Sequence, residues 1–124
     1  MSSLFQEVCE SVRQKLGGFR ALALVSLDGR IVAEVVEDRT LDPETLLEYA
    51  TLLRIAHRTS EDTRAGELSE ICWTSEQGVV LMRRVSHDSF LTLVGGPGLR
   101  TGLGRYLLRR AAWRLRPQFE RASR

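Results

Sequence analysis

Ala21-Leu22-Ala23-Leu24-Val25-Ser26-Leu27-Asp28-Gly29-Arg30-Ile31-Val32-Ala33-Glu34-Val35-Val36 is the stretch from which the rest of the chain can be placed. Two apolar runs flank Asp28-Gly29. That dipeptide signals a tight hairpin turn, because glycine takes a positive φ without a Cβ clash and aspartate tolerates one. In the first run Ala21, Ala23, Val25 and Leu27 point one way, and Leu22 and Leu24 the other. A half-exposed strand alternates apolar with polar residues, so a strand apolar on both faces belongs inside a sheet with helices on both sides. The second run is apolar at Ile31, Val32, Val35 and Val36, with Glu34 as a water-facing break.

On the N-terminal side, residues 4–16 read as an amphipathic helix. Ser2 or Ser3 can cap it, Phe5, Val8, Cys9, Val12 and Leu16 form its apolar stripe, and Gly17-Gly18 ends it. On the C-terminal side, Asp42-Pro43 is a cap followed by proline at the first helical position, where the missing N–H costs nothing. The helix it opens runs to about residue 58, or as far as 64, with Leu46, Tyr49, Ala50, Leu53 and Ala56 as its main stripe. Leu47, Thr51, Arg54, Ile55 and Arg58 lie on the other side, and Leu47 and Ile55 are apolar. Spacing leaves two accounts of them open: a second partner for the helix, or fuller burial inside one chain.

Three short strands follow, at residues 67–74, 79–85 and 90–94, separated by Glu76-Gln77-Gly78 and Ser86-His87-Asp88-Ser89. Such spacing makes an antiparallel meander. Gly95-Gly96-Pro97-Gly98 breaks the sheet, and Thr101 can cap a last helix carrying Leu103, Leu107, Leu108, Ala111, Ala112 and Leu115, which Pro117 stops. The order is α-β-β-α-β-β-β-α, a compact α/β (α+β) sandwich. Residues 1–117 form a single domain, and 118–124 a frayed tail.

The length of 124 residues supports one domain with a real core, and the 43% apolar and 27% charged residues are ordinary for a soluble globular protein. No apolar run approaches the roughly 20 residues of a membrane helix. The first residues lack the basic start and apolar block of a secretory signal. Cys9 and Cys72 make no metal or disulfide framework and read as two reduced, buried thiols of a cytoplasmic protein.

Charge is unevenly spread. Residues 1–98 hold ten Lys+Arg against fifteen Asp+Glu, a charge of −5, and residues 99–124 hold eight Arg against one Glu, a charge of +7. Arg105, Arg109, Arg110, Arg114 and Arg116 give the last helix a cationic face. Such a face can meet nucleic acid, an anionic membrane or an acidic partner; the simpler account is a solvated face whose stems cover the sheet. Aromatic residues between the arginines are limited to Tyr106 and Trp113, and no nucleic-acid module pattern is present, so nucleic acid is not the expected partner.

Catalytic chemistry finds no foothold. The glycine-rich segment 95–104 follows a strand and opens a helix, where phosphates bind, but it lacks both Gly-Lys-Ser/Thr and a complete G-x-G-x-x-G. It reads as a wide strand-to-helix turn. His57 and His87 have no nucleophile elbow or triad pattern around them, and the pairs Glu44/Glu48 and Glu61/Asp62 sit on helical surface. No catalytic, cofactor-binding or metal-binding residue is expected.

Three segments together resemble the Roadblock dynein light-chain superfamily, most closely its bacterial MglB-type members. They are the apolar strand leading into Leu27-Asp28-Gly29-Arg30-Ile31-Val32-Ala33, the long second helix followed by Glu67-Leu68-Ser69-Glu70-Ile71, and Gly102-Leu103-Gly104-Arg105 followed by Leu107-Leu108-Arg109-Arg110-Ala111-Ala112. The resemblance extends from the first helix to Leu115. It implies a five-stranded antiparallel sheet with one helix on one face and two on the other. It implies a homodimer in which the second helices pair and the third strands meet edge to edge, with Ser69, Ile71 and Trp73 at that edge. It also implies binding to small Ras-like GTPases of the MglA type, with the paired second helices as a platform on which Leu47, Thr51, Arg54, Ile55 and Arg58 would face the partner. An arginine finger can speed hydrolysis by roughly three to five decades, but MglB-type proteins are thought to rearrange the GTPase's own residues, so Arg54 and Arg58 are expected to meet acidic surface instead. The competing implication is a structural scaffold or a small-ligand sensor, since similar sandwiches also hold small molecules.

Overall fold

The structure, a computed structural model, describes residues 2–122. The elements are α1 (Ser2–Lys15), β1 (Phe19–Ser26), β2 (Ile31–Val36), α2 (Pro43–Asp62), β3 (Glu70–Ser75), β4 (Gly78–Ser86), β5 (Ser89–Gly95) and α3 (Thr101–Ala122). The five strands form one antiparallel sheet in the order β2-β1-β5-β4-β3. β1 is an inner strand, and Ala21 through Val25 are all buried, as its two apolar faces require. Ala21, Ala23 and Val25 join Leu46, Ala50 and Leu53 of α2 with Met82 and Phe90. Leu22 and Leu24 meet Val8 and Val12 of α1, and Leu107, Leu108 and Leu115 of α3, on the opposite face. The result is one helix on one side of the sheet and two on the other. Each fully buried leucine in these layers contributes about 1.5–3 kcal/mol of transfer free energy.

The β1–β2 connection is wider than a two-residue turn. Residues 27–30 lie outside both strands, the Ser26 N–H donates to the Arg30 carbonyl (2.9 Å), and the Gly29 N–H donates to the Ser26 carbonyl (3.0 Å). Only Gly29 takes the left-handed conformation, at φ +91°. Asp28 keeps a negative φ and uses its carboxylate instead, accepting from the Ser26 hydroxyl and the Arg30 backbone N–H.

Several local expectations are corrected. Ser2 and Ser3 are already helical, so neither caps α1. Thr101 is the first residue of α3 rather than its cap, because the α-helical bonding begins one residue earlier, with the Gly104 N–H on the Arg100 carbonyl (2.9 Å). α2 ends between the two expected limits, at Asp62, with Thr63 as C-cap. β3 starts at Glu70, three residues later than expected, since the Leu68 carbonyl accepts from the Arg84 side chain (2.7 Å) in place of a ladder partner. Cys9 is buried as expected, and burial pushes its thiol up to about 12. Cys72 is exposed: it lies opposite Leu81 on the outermost strand.

Pro117 does not stop α3, which continues to Ala122. Proline's φ of about −65° fits a helix. The carbonyl orphaned by its missing N–H belongs to Trp113, on the same exposed side of the helix. Phe119, two residues on, packs against the core and holds the extension in place. Residues 118–122 are therefore helical, and 123–124 lie outside the described residues. Among the described residues no helix is long and apolar enough to cross a membrane.

Candidate docking site on α2 and the β3 edge

Asp42 fixes where α2 begins. Its backbone is extended (φ −70°, ψ 138°) and its carboxylate accepts the Glu44 N–H at 3.1 Å, with Pro43 occupying the first helical position. Leu46, Ala50 and Leu53, spaced four and three residues apart, are buried and set the rotation of the helix. That rotation turns Leu47, Thr51, Arg54, Ile55 and Arg58 outward, and all five are exposed. Leu47 is 46% and Ile55 53% accessible, so the second apolar face of α2 is not buried within the chain. The Thr51 hydroxyl donates back to the Leu47 carbonyl (3.2 Å), satisfying its hydrogen bond within the helix. Among the described residues, neither Arg54 nor Arg58 has an acidic side chain within ion-pair distance. Arg54 reaches toward the β1–β2 loop, its Nη1 4.0 Å from where a Cβ on Gly29 would stand.

Among the described residues β3 pairs only with β4, which leaves its second edge open. Ile71 and Trp73 sit opposite Met82 and Val80, on the α2 side of the sheet. Ile71 is half-buried against the α2 core, and Trp73 is 48% exposed. Ser69 falls just before the strand but stays in line with it, its carbonyl accepting the Arg84 N–H (3.0 Å). Trp73 and Tyr49 also line a cleft of about 110 Å³ with Arg20 and Gln77. Small-molecule sites usually enclose about 300–1,000 Å³.

Two polar clusters hold these elements in place, and the sequence reading passed over both. Arg84 lies on the inward phase of β4 with Val80 and Met82, and its side chain is only 12% accessible. Its guanidinium donates to the carbonyls of Leu68 (2.7 Å), Ser86 (3.0 Å) and His87 (2.6 Å), meets Glu67 at 3.5 Å and stacks over Phe90 at 4.8 Å. It also approaches His57 of α2, whose other ring nitrogen is 3.3 Å from Glu61. A charge at an inward position of an apolar strand must be paired, and that was the available signal. On the other face Glu70 receives Arg105 at 2.6 Å and Arg83 at 3.9 Å. The hydrogen bond from Arg105 holds the Glu70 carboxyl below the usual glutamate range. This pair ties β3 to α3 and withdraws Arg105 from the free cationic face.

The Gly96 N–H donates to the Gly18 carbonyl (2.9 Å), and Leu99 packs so tightly over Gly95 that a Cβ there would lie 2.0 Å from its Cδ1, so the glycine-rich segment is a packed turn. His87 is exposed in the β4–β5 turn. Among the described residues no three His, Cys, Asp or Glu side chains are grouped to hold a metal.

No protein-family model and no curated protein matches the chain. Solved structures do. MglC from Myxococcus xanthus is 33% identical over 93% of this chain and 98% of its own length, with a TM-score of 0.69. MglB from the same organism superposes with a TM-score of 0.84 at 15% identity, over 95% of this chain and 89% of its own. A Roadblock/LC7 domain from Streptomyces avermitilis gives a TM-score of 0.74 at 14% identity, over 90% of this chain and 93% of its own.

Proposed function

The chain belongs to the Roadblock/LC7 superfamily, and from that membership we propose that it is a cytoplasmic, non-catalytic homodimer that binds a small Ras-like GTPase and modulates its GTP hydrolysis or nucleotide state. The observation that carries the reading is the outer face of α2. Leu47 and Ile55 are exposed there with two arginines that have no acidic partner among the described residues, and the open edge of β3 lies on the same side of the domain. An open edge strand bearing an exposed tryptophan is an aggregation liability unless something covers it. Pairing of two β3 edges about a two-fold axis covers both at once and makes one continuous sheet, with Ser69, Ile71 and Trp73 at the seam. Leu47, Thr51, Arg54, Ile55 and Arg58 then form the platform for the GTPase. Apolar anchors fringed by arginine are the composition from which protein interfaces draw most of their binding energy.

The test uses whichever small Ras-like GTPase is encoded nearest this gene. Its GTP hydrolysis and nucleotide release are measured with and without the protein, whose dimeric state is established by sedimentation. Acceleration lost in Ile55→Asp but kept in Arg54→Ala is the expected result for a platform that reshapes its partner. A folded dimer that neither binds the GTPase nor changes its kinetics overturns the proposal in favour of a scaffold. The cleft beside Trp73 is smaller than a usual small-molecule site, but two open clefts of about 350 and 370 Å³ lie around His87, and a small molecule bound in either without GTPase binding would favour the ligand-sensing alternative.

A further inference from the structure

We propose that the outer surface of α1 and α3, on the side of the sheet away from α2, docks on an anionic phospholipid bilayer. Residues 101–119 of α3 contain no acidic residue. Tyr106, Arg110, Trp113 and Pro117, spaced four, three and four residues apart, form the crest of that helix. Trp113 is 71% and Tyr106 53% exposed, and Trp113 is the most exposed of the large apolar side chains described. The arginines are built onto these rings: the Arg110 guanidinium lies 5.7 Å from the centre of Tyr106, and that of Arg116 lies 5.7 Å from the centre of Trp113. Beside the crest, Lys15 of α1 faces Arg110 and Arg114 across a groove that also exposes the Ser11 position. Neither Arg110 nor Arg114 has an acidic partner among the described residues. The acidic residues of this layer are Glu7 and Glu10 on α1, Glu70 on β3 and Glu120 near the end of α3, with Glu37 beside Arg13 at 3.8 Å. Glu10 is engaged by Arg13 and Gln14, and Glu70 by Arg105.

Three cations around a groove supply the charge complement of lipid phosphates, which arginine binds through its planar fork. The aromatic crest selects the bilayer over other polyanions. A convex helix ridge offers no stacking trough to a nucleic acid, and along a DNA backbone the Trp113 indole would stay in water. At a membrane, indole and phenol rings settle at the headgroup level, where an apolar body and a polar edge are both satisfied. The inner face of α3 is fully used by the core, so the helix lies on the surface without leaving the fold. Because α2 is on the opposite side of the sheet, a docked protein keeps its α2 face free.

The experiment is co-sedimentation of the full chain with vesicles of phosphatidylcholine alone, or with about one third phosphatidylglycerol. Binding is expected only to the anionic vesicles. Arg110→Gln and Arg114→Gln are each expected to weaken it about fivefold, and Trp113→Ala about fivefold or more. All three positions are exposed, so the fold survives, as unchanged far-UV circular dichroism would confirm. No binding to anionic vesicles overturns the proposal. So does binding that Trp113→Ala leaves intact, which would mean a diffuse cationic attraction, and so does retention of duplex DNA without vesicle binding, which would assign the face to nucleic acid.

Discussion

Arg84 shows how one residue can join two elements. Its guanidinium satisfies three backbone carbonyls and stands beside Glu67, His57 and Phe90. Removing it leaves those carbonyls to find water in a mostly buried site, so Arg84→Ala is expected to cost about 2–4 kcal/mol in urea unfolding. Arg84→Lys should recover only part of that, since an ammonium cannot span the same acceptors. Asp38 makes a pH-dependent contribution. The Thr40 hydroxyl and backbone N–H donate to its carboxylate, Arg20 lies 2.6 Å away, and its pKa is pushed down to about 2. A depressed carboxyl stabilises the fold above its unfolded pKa, near 3.9 for aspartate, and that contribution is lost as pH falls toward about 2. Asp38→Asn should therefore flatten the stability profile over that acid interval and leave its shape unchanged near neutrality, measured by thermal unfolding across pH.

At the scale of the element, α2 was legible because each local signal agrees: the Asp42 cap, Pro43 at the first position, and a buried stripe of leucine and alanine. β3 was less so, because its first expected residues are drawn off by the Arg84 side chain, a contact across 16 residues of chain. α3 was misread at its end for the opposite reason. Proline is a local breaker, and Phe119 packing on the core overrides it. The override has a cost, so Pro117→Ala should restore a helical hydrogen bond and raise stability by about 1 kcal/mol. Urea unfolding followed at 222 nm would measure it, with a slight gain in native helicity.

For the whole molecule, the sheet separates two cores that share β1, β4 and β5. Leu53 fills the α2 side and Leu108 the α1/α3 side, and both are fully buried. Leu53→Ala and Leu108→Ala should each cost about 2–5 kcal/mol. Because the strands between the cores are common to both, neither layer should unfold alone: circular dichroism and tryptophan fluorescence should give coincident urea transitions in each variant. Separate transitions would mean that the layers are independent units. The same division sorts the surface, with the exposed apolar and arginine face of α2 on one side and the exposed aromatic and arginine face of α3 on the other.

Local chemistry was enough to set the order of elements and the faces of β1, because hydrophobic period and helix caps act within a few residues and need no knowledge of what lies opposite. It also placed Leu47, Thr51, Arg54, Ile55 and Arg58 on one side of α2, since helical geometry is set by spacing alone. It could not say whether that side was covered. Nor could it place β3 at the rim of the sheet, bury Cys9 while exposing Cys72, or carry α3 past Pro117. Those outcomes depend on which residues distant in the chain arrive at the same point, and only the packed sheet and its two helical layers bring them there.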